Sequence, residues 1–199
     1  MFKKLTLTDI LVTVVIALVF SVIYKIWGGP LYSAVSVLGL HIDQLLYGMW
    51  FMAATVAFLI IRKPGVALLA ELAAAQGEFL FGGQWGGISL LLYGLVQGLG
   101  CEIIFAIFRY RSYHILVMCL AAVGAAIGSL WLDIYYGYIT ELALWNLSLL
   151  VFARILGGSI VITGIFAYYL VNALEKTGVT RLVRPLSNKH YEALDEEIR

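Results

Sequence analysis

Charge is scarce in this chain. Asp, Glu, Lys and Arg make up 13% of its 199 residues, against ~25% in soluble domains. Apolar side chains take up the difference, at 62% of the sequence. Most of the chain must therefore be solvated by lipid or by itself, which argues against a soluble fold and for one integral membrane domain. The formal net charge of +1 gives no reason to expect nucleic acid as a partner. Cysteine is nearly absent: Cys101 and Cys119 lie inside apolar runs, form no CxxC and offer no disulfide framework. No GxxxxGK[ST] is present, so the chain does not bind ATP through a P-loop. HExxH, GxSxG and cysteine–histidine clusters are also missing, so no enzyme is specified and no cofactor is expected. His41 has no ligand-spaced partner, so no metal site is expected there. No internal symmetry supports an inverted-repeat secondary transporter.

What is present is a series of apolar runs. They predict an all-α bundle of six spans, at about 7–27, 44–61, 65–81, 86–108, 115–136 and 147–174. The MFKK start imitates a signal peptide, but no small-x-small cleavage site precedes Lys25, so the first span reads as uncleaved. Residues 1–175 read as the membrane domain and 176–199 as a charged tail. An even number of spans puts both termini on one side. Lys3, Lys4, Arg62, Lys63, Arg109, Arg111, Lys176, Arg181, Arg184, Lys189 and Arg199 all fall on that side, which predicts cytoplasmic termini. Only Lys25 and Arg154 fall toward the other. The mixed segment Gly28 to Asp43 is too short to span and is expected to lie over the bundle as a lid or interfacial piece.

The stretch KPGVALLAELAAAQGEFLFGGQWGG, Lys63 to Gly87, organises the rest. Its span is short and alanine-rich, which lets neighbouring helices come close. It carries Glu71 and Glu78, seven residues apart and so ~20° apart on one helical face. Acids at membrane depth cost ~2.5–3.5 kcal/mol each on insertion scales and are functional-site candidates by default. The alternative for each is a structural hydrogen bond to a neighbouring helix. Tyr93 and Gln97 share a face of the next span, with Gln97 near mid-depth. Glu102 and Arg109 are spaced for a structural pair. Thr13, Ala17 and Ser21 form a small-residue stripe on the first span, suited either to internal packing or to a partner subunit. All five tryptophans, with Asp43, Glu78, Asp133 and Glu141, fall in the outer half. Aromatic faces beside carboxylates suit a flat cationic ligand in an outward-opening cavity, and an interfacial belt is the alternative.

The joined segments IRKPGVALLAELAAAQGEFLFGGQWGG and LLYGLVQGLGCEIIFAIFRYR resemble the YkoE family. Its members are the substrate-binding S components of energy-coupling-factor vitamin transporters for thiamin and its hydroxymethylpyrimidine precursor. The resemblance runs through DIYYGY to the sixth span. It implies a compact six-helix bundle with an outward-facing vitamin pocket. It also implies work with a transmembrane coupling protein and two cytosolic ATPase subunits. Matched to the motif, Glu71, Glu78, Gln84, Trp85, Tyr93, Gln97 and Glu102 become candidates. With the aromatic and acidic outer half, the expected thiamin site comprises Tyr47, Trp50, Glu71, Glu78, Gln84, Trp85, Tyr93, Gln97, Trp131 and Asp133. Thr13, Ala17 and Ser21 are the expected partner-docking stripe, since S components often dock through a small-xxx-small first helix. A stand-alone proton-coupled transporter with Glu71 and Glu78 as relay groups, an intramembrane enzyme, and another flat ligand in the same fold are the rival expectations.

Overall fold

The computed structural model describes residues 4–139, 144–178 and 180. Glu141, Lys3, and Arg181, Arg184, Lys189 and Arg199 of the expected tail lie outside them. The described residues form an all-helical bundle of six helices: α1 Leu7–Ser36, α2 His41–Ile61, α3 Val66–Leu80, α4 Gly87–Ile107, α5 Ile115–Tyr135 and α6 Leu144–Lys176. All but α3 are long and apolar enough to cross a membrane. At 15 residues α3 spans only about 22 Å. It is also the helix that carries Glu71 and Glu78, both buried.

Helix ends follow from local chemistry. Thr6 opens α1 with a capping box: its hydroxyl receives the Asp9 N–H at 3.3 Å, and the Asp9 carboxylate receives the Thr6 N–H at 2.6 Å. Arg62, at φ 58°, ends α2, and Gly65, at φ +83°, is the residue before α3. That left-handed turn suits glycine. Pro64 thus stands two residues before the first residue of α3. The first turn of α3 is capped from outside: Glu102 of α4 receives the N–H groups of Gly65 at 2.5 Å and Leu68 at 3.3 Å. Glu102 therefore serves as a cap and not as the partner expected for Arg109.

The segment Gly28 to Asp43 is not the lid expected from its composition. α1 continues through it, wound as a π-helix over Trp27–Leu31 and as α-helix over Tyr32–Ser36. A turn then leads to Leu40–Asp43 and directly into the 3-10 winding of Gln44–Phe51. Apolar residues that seemed out of place in a loop are simply the end of a longer helix.

The central element is α2. Every residue of Met52–Ile61 is buried, with Phe58 stacked on Phe105 of α4 at a centroid distance of 3.7 Å. The outer helices bury one face each. α1 exposes Leu11, Val15, Leu18 and Val19 on the other, an apolar exterior that matches lipid. One end of the bundle is tied by charge. Asp9 pairs with Lys63, Arg62 pairs with Glu175 at 3.2 Å, and the Arg62 guanidinium lies 4.2 Å over the Tyr113 ring. These contacts join the start of α1, the α2–α3 turn, the α4–α5 turn and the end of α6 at one end.

The small-residue stripe faces inward. Thr13, Ala17 and Ser21 are buried, and the Ser21 hydroxyl donates to the Ala74 carbonyl of α3 at 3.1 Å. A Cβ at Gly77 would lie 1.9 Å from the Ser21 hydroxyl oxygen, so these two backbones meet only because Gly77 has no side chain. Docking a partner on this face would require pulling α1 off α3. The expectation of a docking stripe at Thr13, Ala17 and Ser21 is corrected accordingly to internal packing. Ser21→Leu should destabilise the purified chain by about 1–3 kcal/mol through overpacking, read as a lower midpoint in detergent-phase thermal unfolding. An unchanged midpoint would return the stripe to the surface.

Candidate binding cavity

A cavity of about 260 Å³ lies inside the bundle, with side chains from all six helices on its wall. Its wall includes Trp85, Tyr138 and Ile139 from the α3–α4 and α5–α6 connections, at the end opposite the charge-tied one. Two groups of side chains shape it.

The first group hangs on the glutamates of α3. Glu71 is fully buried, and its carboxylate receives the Tyr24 hydroxyl at 3.1 Å and the Ala54 N–H at 3.1 Å. The Tyr24 oxygen in turn receives the Ala53 N–H at 3.0 Å. The reason lies in α2, where the change from 3-10 to α-helical winding leaves first-turn N–H groups without intrahelical acceptors. Glu71 and Tyr24 supply those acceptors, and a carboxylate at a helix N-terminus is favourably placed against the backbone dipoles. Glu78 is two turns further on. It receives the Trp50 indole N–H at 3.2 Å, and Trp50 packs edge-on against Tyr32 at 5.1 Å and against Tyr47 at 5.3 Å.

The second group is a polar chain that crosses the cavity. The Tyr32 hydroxyl donates to Asp43 at 3.1 Å, the Gln44 amide donates to Asp43 at 3.0 Å, and Arg154 Nε donates to Gln44 at 2.6 Å. Arg154 Nη1 lies 2.5 Å from Asp133, which also accepts the Tyr93 hydroxyl. The guanidinium is 3.7 Å over the Tyr47 ring, so one residue joins an ion pair, a hydrogen bond and a cation–π contact. Arg154 is held there by the crossing of α2 and α6. A Cβ on Gly48 would fall 1.4 Å from the Gly158 carbonyl oxygen, and Thr163 donates to the Gly48 carbonyl. Only glycine at both positions lets α6 come close enough.

Of the expected site residues, Tyr47, Trp50, Glu71, Glu78, Trp85, Tyr93, Gln97 and Asp133 line this one cavity. Gln97 is 3% exposed, and its amide has no hydrogen-bond partner among the described residues, so its donor and acceptor are both available to whatever fills the cavity. Gln84 does not line it. Its amide donates to the Gly28 carbonyl at 2.6 Å and pins the α3–α4 turn to α1. Trp131 also stands apart, 61% exposed and stacked on Tyr135. It is two residues from Asp133, and side chains two apart on a helix point to nearly opposite sides. The tryptophans therefore split. Trp50 and Trp85 face the cavity, Trp27 donates to the Leu46 carbonyl, and Trp131 and Trp145 are exposed as in an interfacial belt.

Tyr24, Tyr32, Asp43, Gln44 and Arg154 line the cavity without having been singled out as site residues. A signal existed for three of them. Asp43 is one of the carboxylates grouped in the outer half with the tryptophans. Arg154 is an isolated cation within an apolar span, the usual mark of a functional position. Tyr24 lies on the same face of α1 as Ala17 and Ser21.

Comparison with known proteins agrees with this architecture. Residues 8–128 match the family described as the permease component of an ABC-type cobalt transport system. The chain is similar to a solved structure described as an S-component of an ECF transporter, with a TM-score of 0.86 and 28% identity, covering 97% of this chain and 98% of that one. It is also 29% identical to the putative HMP/thiamine permease protein YkoE of Bacillus subtilis (strain 168), over 89% of this chain and 88% of the relative. The fold and its buried polar cavity define a multi-pass membrane transport component. The chain belongs to the family of ABC-type cobalt transport system permease components, and within that breadth it has the S-component fold.

Proposed function

We propose that this chain is the substrate-capturing membrane subunit of an ATP-driven vitamin importer. It takes thiamin or its hydroxymethylpyrimidine precursor from outside and passes it inward with a transmembrane coupling protein and two cytosolic ATPase subunits. The observation that carries this reading is the cavity's chemistry. Among the described residues, four acidic side chains, Asp43, Glu71, Glu78 and Asp133, share it with a single cation, Arg154, among aromatic walls. Thiamin is a permanent cation built of two flat rings, and its aminopyrimidine both donates and accepts hydrogen bonds. Trp50, Trp85 and Tyr47 suit its rings, Glu78 suits its charge, and the unpartnered Gln97 amide suits the pyrimidine edge. The similarity to YkoE supports the same ligand pair. The family's description names cobalt, but among the described residues no three His, Cys, Asp or Glu side chains gather as metal ligands.

The charge-tied end carries Lys4, Arg62, Lys63, Arg109 and Arg111, and by the excess of basic residues it faces the cytoplasm. The cavity end then faces outward. The test is calorimetry on the purified chain followed by uptake in proteoliposomes. Thiamin should bind the isolated chain, and uptake should need the coupling protein, the ATPases and ATP together. Uptake by the chain alone, driven by a pH gradient, would identify a proton-coupled carrier instead and end this proposal.

A further inference from the structure

Among the described residues, Arg154 is the cation buried in the cavity, at 1% exposure. It is flat, stacked 3.7 Å over the face of Tyr47 and 2.5 Å from the Asp133 carboxylate. Those are the contacts a flat cationic ligand would itself seek here. We propose that Arg154 is a specificity-determining residue: a built-in counter-cation that neutralises the Asp133 end of the cavity, so that a neutral pyrimidine can be bound as well as the cationic vitamin. The inference rests on the proposed function and adds the device that sets charge selectivity.

The physical reasoning runs through Asp133. Without Arg154, a buried Asp133 would be an uncompensated anion inside a chamber that already holds Glu78 and Asp43. Such a chamber would strongly prefer cations, because charges interact across a low-dielectric cavity with little screening. With Arg154 in place the Asp133–Arg154 pair is neutral overall, and a ligand's charge is read mainly at Glu78 and Asp43. Gln44 and Ser129 hold the guanidinium from two further sides, at 2.6 Å and 3.4 Å, so it is fixed rather than free to follow the ligand.

The experiment is calorimetry on the purified full chain with two probes, thiamin (cationic) and hydroxymethylpyrimidine (neutral). Arg154→Gln should shift the ratio of the two affinities toward thiamin by about tenfold or more. Asp133→Asn, which leaves Arg154 unopposed, should shift it about tenfold the other way. Arg154→Lys keeps the charge and should keep the parent ratio. Should Arg154→Gln fail to fold, Asp133→Asn still decides, because its shift has the opposite sign. If both variants weaken the two ligands by the same factor, the pair is packing only and the inference is overturned. A parent that binds thiamin but not the neutral pyrimidine overturns it too, while the proposed function stands. A parent that binds neither ends both.

Discussion

Glu71→Ala is expected to lower the stability of the isolated chain by on the order of 3 kcal/mol, from two buried donors left unpaired and a cavity opened beside them. The donors are the Tyr24 hydroxyl and the Ala54 N–H, both of which the Glu71 carboxylate receives. Tyr24, Ala54 and Glu71 are all fully buried, so neither donor reaches bulk solvent. The loss should fall on the start of Met52–Ile61, the most buried stretch of the bundle. Glu71→Gln keeps an acceptor oxygen for Ala54 and should cost only about 1 kcal/mol. Unfolding of both variants in detergent, followed by tryptophan fluorescence, measures the difference. Equal midpoints for Glu71→Ala and the parent would show that the cap on α2 contributes nothing.

Glu78→Gln should behave in the opposite way, with stability largely kept and binding lost. Gln offers an oxygen to the Trp50 indole N–H that Glu78 now receives at 3.2 Å, so that local contact survives. What disappears is the negative charge on the cavity wall. Losing a charge-assisted contact to the ligand costs on the order of 2–3 kcal/mol, which is roughly a 30–150-fold weaker thiamin affinity. Titration calorimetry on the isolated chain reads this directly. An unchanged Kd would move the charge-matching role to Asp43, a carboxylate of the cavity that is neither paired directly with Arg154 nor, like Glu71, taken up by the Ala54 N–H. The two glutamates, alike in sequence and on one face of α3, are thus separated by what each touches. Glu71 faces backbone donors of a neighbouring helix, and Glu78 faces an aromatic wall.

The composition and the apolar runs determined the class of protein. Six helices in an all-α membrane bundle are legible because a lipid-facing helix needs an apolar exterior of fixed length, and Leu11, Val15 and Leu18 on α1 supply it whatever their neighbours are. The spacing of Glu71 and Glu78, and of Tyr93 and Gln97, was likewise enough to place each pair on one face, since helical geometry is local. Tertiary structure decided everything that depended on which face meets which neighbour. The stripe of Thr13, Ala17 and Ser21 is equally suited to a partner and to α3, and only the absence of a side chain at Gly77 shows that α3 takes it. Glu102 could have paired with Arg109, but the open N–H groups of Gly65 and Leu68 are closer. Arg154 reads as a misplaced charge until α6 crosses α2 at Gly48 and Gly158 and sets it against Asp133, Gln44 and Tyr47. Periodicity along one helix fixes its faces, but the partner of a buried polar group lies on another helix, and one sequence does not encode that distance.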